Sequence, residues 1–268
     1  NAGSRWLVPV KAQRATAAAF SGLWVGNVRV LAVSESQLGS LVPKPVHRPF
    51  SFRIMVHVDA FGQARLLKEV IQMWEDGTYT VINDPHLSPT PLYQVDQPGQ
   101  YVLITDNSLI PDLQGVGQSG GESIGYRIST AAYDFQGNEL AMNGSFDLLR
   151  SLTAELILEP NHATNPFKHK YHPDHNNLDE QFIPLPEGSE EAYRIIRTFQ
   201  LEFAENDPEG TESGDGTWLN KPGWGSSIMG GTFKETISGV HKNDIATQGV
   251  FRLQLVSTTD SLNVGGTP

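Results

Sequence analysis

The chain has 268 residues, no cysteine, 26 glycines, 17 prolines and a formal net charge of −11. Without cysteine there are no disulfides, thiolate zinc sites or cysteine nucleophiles. The acidic balance disfavours nucleic acid and anionic lipid, which recruit basic surfaces, and no apolar run approaches the ~18 residues of a membrane span.

The first residue is Asn1 rather than methionine, so a processed product or a piece of a longer protein is expected. Residues 1–20 read as an N-terminal extension. Within it, Trp6-Leu7-Val8-Pro9-Val10 is a short strand-like segment suited to adding to a neighbour's open sheet edge. Residues 11–20 have the pattern of one short helix. Strands are expected over 23–34 and 50–58, where the apolar Phe50, Phe52, Ile54, Val56 and Val58 recur at every second position. Asp59-Ala60-Phe61-Gly62 then reads as a hairpin turn, with aspartate opening it and glycine supplying positive φ. Tyr133 to Leu140 and Glu75-Asp76-Gly77-Thr78 give two further hairpin signals. Residues 65–74 could pass for a helix, but their position after a turn favours a strand.

More strands follow at 101–105, 123–133, 146–158, 191–204, 228–238 and 248–257. Glycine recurs two residues before an aromatic at Gly22/Trp24, Gly144/Phe146, Gly231/Phe233 and Gly249/Phe251. This is the expected grammar of a turn or strand entry followed by the first core residue. Loops are expected at 35–49 with three prolines, at 83–100 with four, and at 205–227, rich in Gly, Asp and Glu. Ten or more strands at hairpin spacing predict an all-β fold, an antiparallel β-sandwich of jelly-roll-like or Greek-key type with long loops. Residues 21–258 form its single domain, and 259–268 a C-terminal tail.

Chemistry-bearing groups concentrate between His162 and His175, where four of the eight histidines fall. His169, His172 and His175 are spaced by three, and Asp174, Asn176 and Asp179 are interleaved with them. Imidazoles suit Zn²⁺, whereas aspartate and asparagine oxygens suit Ca²⁺. The competing reading is a polar loop whose side chains cap its own backbone. Pro173 and the asparagine pair make the segment a loop rather than a helix, and 161–180 should be a non-strand excursion between strands ending near Leu158 and starting near Tyr193. A second acidic group, Glu205, Asp207, Glu209, Glu212 and Asp215, lies on a glycine-rich loop that could hold Ca²⁺ or simply be solvated.

Gly115 to Gly120 matches G-x-G-x-x-G, but the segment after it reads as a strand, so the match is accidental. Neither G-x-S-x-G nor H-E-x-x-H occurs. Trp218 and Trp224 lie in loop-like sequence and could offer a sugar-stacking surface, while Trp24 is expected in the core.

The tract from Asn165 to Asp179, together with Gly230 to Thr236 and Gly249 to Leu253, resembles uncharacterised β-rich modules of large exported bacterial surface proteins. The resemblance spans roughly residues 20 to 257. It implies an extracellular or cell-surface setting and transfers no catalytic residue. The expected function is therefore a non-enzymatic structural or assembly module whose partners are copies of itself or another surface protein. A carbohydrate-binding module is the alternative, and a secreted hydrolase acting through an unrecognised carboxylate pair comes third.

Overall fold

The computed structural model describes residues 19–263 except 76, 83–91, 107, 110–116, 120, 121, 125, 131, 132, 161, 163, 166–182 and 184–193. In chain order its strands begin with β1 (Gly22–Ser34), β2 (Pro43–Val58), β3 (Ala64–Leu67), β4 (Glu69–Glu75), β5 (Thr78–Ile82) and β6 (Leu92–Gln97). The middle of the chain supplies β7 (Gln100–Ile104), β8 (Gly117–Ser119), β9 (Glu122–Ile124), β10 (Tyr126–Thr130), β11 (Glu139–Ala141) and β12 (Asn143–Gly144). The last third holds β13 (Ser151–Leu158), β14 (Ile195–Phe203), β15 (Thr211–Glu212), β16 (Trp218–Leu219), β17 (Ile228–Ser238) and β18 (Ile245–Ser257). The fold is all-β and antiparallel, as the alternation predicts.

One large sheet runs in the order β11-β3-β2-β1-β18-β17-β14-β13-β12. Its end strands, β11 and β12, are two halves of one segment joined by Met142. The Met142 N–H donates to the Ala64 carbonyl on one side, while Asn143 and Gly144 pair with Thr153 and Leu152 on the other. Glu139–Gly144 therefore bridges both edges, and the sheet curls into a barrel closed at that rim. Neighbours in the barrel are neighbours in chain order apart from inserted segments, which makes it a meander, with β1 against β18 as the closing pair. The two apolar walls implied by a sandwich are opposite sides of this one curled sheet.

The inward face carries the core. Leu152, Ala154 and Leu156 of β13 alternate with outward polar residues, and they share one cluster with Trp24, Ile54, Val56, Leu66, Phe199, Leu201, Phe233 and Phe251. Aromatic rings fill the closed rim, where Trp24 and Phe146 lie with centroids 4.8 Å apart and the Trp24 indole N–H donates to the Phe20 carbonyl at 2.8 Å. At the other rim, Tyr133 stacks on Phe199 at 5.1 Å and meets Phe52 edge-on at 5.4 Å.

The Gly-x-aromatic recurrence has a single physical basis. At Gly22, Gly144, Gly231 and Gly249 a Cβ would come within 3.0 Å of a carbonyl oxygen on the neighbouring strand. Glycine lets the backbones crowd where the sheet coils most tightly, and the aromatic two residues on fills the interior.

Residues between β3 and β11 make a second layer. β10-β4-β7 form a three-stranded sheet, and Val70 and Leu103 pack with Leu23, Met55 and Leu67 on the outer wall of the barrel. The C-terminal segment straps this layer down: the Asn263 N–H donates to the Leu103 carbonyl, and the Asn263 side-chain oxygen accepts from the Thr105 and Asp106 amides.

Three local expectations are corrected. Tyr133–Phe135 is not a strand of a hairpin with β11; β11 pairs with β3, and Tyr133 and Phe135 are buried in the barrel core. Glu75–Thr78 does not turn a hairpin either, because β4 pairs with β7 and β10 whereas β5 pairs with β6. The proline-bearing stretch 43–49 is not loop but the start of β2, and no described strand pairs with its second edge between Pro43 and Met55. Proline is tolerated there because an edge needs no second ladder of donors. The helix expected at 11–20 lies outside the described residues apart from its last two, which form a turn.

Candidate functional site: a loop-roofed groove on the barrel wall

Strand alternation places Glu202 on β14, Thr232 and Lys234 on β17 and Gln248 on β18 on the outer wall, opposite the buried Phe203, Phe233 and Phe251. The register sets Lys234 directly across from Gln248 and Gln200, with Glu202 diagonal to it and 3.6 Å away. The result is a strip of polar side chains.

After β14 the chain folds back over this strip as the loop 204–227. Its conformation is fixed from within by short polar side chains, as such loops require. The Asp207 N–H donates to the Asn220 side-chain oxygen at 2.7 Å, and the Asn220 amide donates to Asn206 at 3.1 Å. β15 and β16 make a small hairpin pairing Glu212 with Trp218. Its tip is an aspartate turn: Asp215 accepts from the Ser213 hydroxyl and from the Thr217 N–H, and these bonds hold its carboxyl down to about 2.

Arginines on the wall clamp the loop. Arg252 of β18 donates to both oxygens of Asp207, and Arg29 of β1 donates to Glu209 at 2.7 Å. Asp207 and Glu209 thus anchor the loop, while Glu205 and Glu212 stay exposed. The sequence marked these carboxylates as a group; their arginine partners carried no local signal.

Between loop and wall runs an open groove of about 640 Å³, lined by Leu149, Phe203, Asn206, Pro208, Trp218 and Lys234 among others. Trp218 is 39 % exposed and forms part of its side. Trp224 does not line the groove; its ring lies over Gly230, where it leaves no room for a Cβ. The two loop tryptophans singled out from sequence therefore have different roles: Trp218 faces the groove and Trp224 props the loop on the strand.

A second polar cluster sits at the far rim inside the barrel. Arg197 is within 2.7 Å of the buried Glu235, its guanidinium lies 4.5 Å from the centre of the Tyr133 ring, and the Tyr133 hydroxyl is 3.5 Å from Glu235. Burial, reinforced by the Glu235 charge, pushes the Tyr133 phenol well above its usual range. Sequence reading missed this cluster although Arg197 and Glu235 stand in phase with the core residues Phe199 and Phe233, because nothing local shows that the two charges meet across strands.

Of the histidine segment, His162, Thr164 and Asn165 are described, and they form a turn in which the Asn165 amide donates to the Glu159 carbonyl at 3.1 Å. His169, His172, Asp174, His175, Asn176 and Asp179, the residues proposed to hold Ca²⁺ or Zn²⁺, lie outside the described residues. β13 and β14, which flank the segment, pair directly with each other from Leu158/Ile195 onward. Among the described residues no group of three or more histidine, aspartate or glutamate side chains comes together as a metal site. The chain matches no protein-family model and no curated protein.

Proposed function

We propose that this chain is a non-enzymatic carbohydrate-binding module of an exported or cell-surface protein, with the Trp218 groove as its binding site. The observation that carries the reading is the half-exposed Trp218 ring set beside a strip of hydrogen-bonding side chains, Glu202, Lys234 and Gln248, under one loop. An aromatic plate packs against the C–H faces of a sugar, while carboxylate, ammonium and amide groups bond its hydroxyls. An open groove, rather than an enclosed cavity, suits an extended chain. The test is a glycan array followed by calorimetry on the best ligand. Trp218→Ala should weaken binding by about tenfold or more, the usual worth of a buried aromatic contact. Absence of any bound glycan, or affinity unchanged in the variant, would overturn the proposal.

A second reading, self-assembly, is favoured by the edge of β2. No described strand pairs with it from Pro43 to Met55, and its prolines at 43, 45 and 49 precede the stretch Phe50–Met55. A strand such as Trp6–Val10 from another copy would fit by edge addition. Size-exclusion chromatography of the chain with and without residues 1–18 checks this: larger species only with the segment would support assembly, and identical monomers would discard it.

A further inference from the structure

On the other side of the 204–220 loop, the outer faces of β1 and β18 meet in a hollow of about 400 Å³. It adjoins the Trp218 groove: Pro208 and Gly249 line the groove, and Glu209 and Val250, next to them along the chain, line the hollow. Arg29 and Arg252 point into it from neighbouring strands, and Lys221 reaches it from the loop. Asn27, Ser51 and Gln254 add neutral hydrogen-bonding groups. In a chain of net charge −11, three cations here face two carboxylates, Asp207 and Glu209.

Those carboxylates do not use up the donors. Arg252 meets Asp207, and Glu209 at 3.5 Å, through the same terminal nitrogen, Nη2. Arg29 meets Glu209 through Nη1 alone. A guanidinium carries five N–H donors in a fork matched to carboxylate and sulfate geometry. Lys221 is exposed and has no ion-pair partner among the described residues.

The geometry points to an anion subsite formed by Arg29, Lys221 and Arg252, so that the module's ligand is an acidic carbohydrate carrying a uronate carboxylate or a sulfate. This rests on the carbohydrate reading of the Trp218 groove. A sugar stacked on Trp218 would place its charged neighbour across the loop, where the surplus positive charge lies.

The experiment uses the full chain and matched oligosaccharides: a uronate oligomer against its methyl ester, and a sulfated oligomer against its desulfated form. The parent should bind one of the two acidic members about tenfold tighter than its neutral match, the effect of a hydrogen bond to a charged group. That preference should fade as salt is raised. Lys221→Gln, which breaks no ion pair, should shrink the preference while leaving neutral binding in place, and Arg29→Gln should shrink it further. Trp218→Ala should weaken acidic and neutral members alike. Equal affinity within both pairs, or a preference untouched by Lys221→Gln and Arg29→Gln, would overturn the anion subsite while the carbohydrate reading stands. No binding of any sugar would overturn both.

Discussion

Arg252 and Asp207 join strand β18 to the loop over the barrel wall through one guanidinium nitrogen lying 2.7 and 2.6 Å from the two carboxylate oxygens. The Asp207 side chain is 3 % exposed and that of Arg252 27 %. Asp207 also accepts the Glu209 N–H, and its own N–H is held by Asn220, so one residue ties the loop to itself and to the wall. Asp207→Asn keeps the shape and removes the charge, leaving Arg252 largely enclosed with only the more distant Glu209, 3.5 Å away, as counter-ion. Breaking a fully buried pair costs about 3–5 kcal/mol, and the partial exposure of Arg252 reduces this to about 2 kcal/mol. Urea unfolding should show a lower midpoint by that amount. A change under ~0.5 kcal/mol, the scale of an exposed pair, would mean that water replaces the clamp.

The crowded glycines give a graded series. A Cβ at Gly249 would press into the Arg29 carbonyl, and one at Gly231 into the Glu202 carbonyl, both within 3.0 Å. Backbone on a central strand cannot step aside, so Gly249→Ala and Gly231→Ala should each destabilise by about 3 kcal/mol or more. Gly137 has φ +88° but nothing within 4 Å of its virtual Cβ. Gly137→Ala should therefore cost only the left-handed backbone penalty, about 1 kcal/mol. Equal costs across the three variants would contradict close strand approach as the reason for glycine.

Which parts of this architecture are legible in sequence follows from the range of the signal. Alternation from Phe50 to Val58 correctly assigns Ile54, Val56 and Val58 to the barrel interior. It cannot show that Met55 and His57, on the opposite face, are 0 % exposed, because the layer covering them comes from β4, β7 and the C-terminal strap. Nor can it show that Phe50, in phase with the core, is 53 % exposed beyond the filled part of the barrel. Barrel closure depends on β1 meeting β18 and on Met142 bridging two edges, contacts with no local periodicity. At the groove, Trp218 and the loop acids are visible in sequence, whereas Lys234, Gln248 and Arg252 look like ordinary solvent positions between core aromatics. Their role arises only when the loop folds over them.

Tyr133 closes the far rim, and its ring matters more than its hydroxyl. The ring packs on Phe52 and Phe199 and under Arg197, whereas the hydroxyl reaches Glu235 only at 3.5 Å. Truncating a buried aromatic costs about 3–5 kcal/mol, so Tyr133→Ala should be severely destabilised. A long hydrogen bond contributes less than the typical ~1 kcal/mol, so Tyr133→Phe should lie within that of the parent. Thermal or urea melts of the pair decide it; similar losses in both variants would transfer the weight to the hydroxyl.

His57 makes stability depend on pH. Its Nε2 lies 3.1 Å from the Thr259 carbonyl, which can only accept, so the neutral ring carries its proton on Nε2. Nδ1 is then a bare acceptor, buried with no protein partner. Protonation would bury a charge and an unmet N–H there. Burial therefore lowers the pKa below the usual value of about 6.5, with Arg65 pulling the same way and the Thr259 carbonyl, Asp59 and Glu139 opposing. With the native pKa below the unfolded one, the unfolded chain binds the proton more readily. The stabilisation is present above pH ~6.5 and is lost as pH falls from there through the lowered native value. Urea midpoints at about pH 7.5, 6.5 and 5.5 should fall in the parent, and the fall should be smaller in His57→Gln, whose amide can still donate to Thr259 without titrating. Limited proteolysis should cut the strap from Thr259 to Asn263 faster at the lowest pH in the parent alone. Parallel pH profiles for the two chains would assign the acid sensitivity to the other histidines or to the carboxylates.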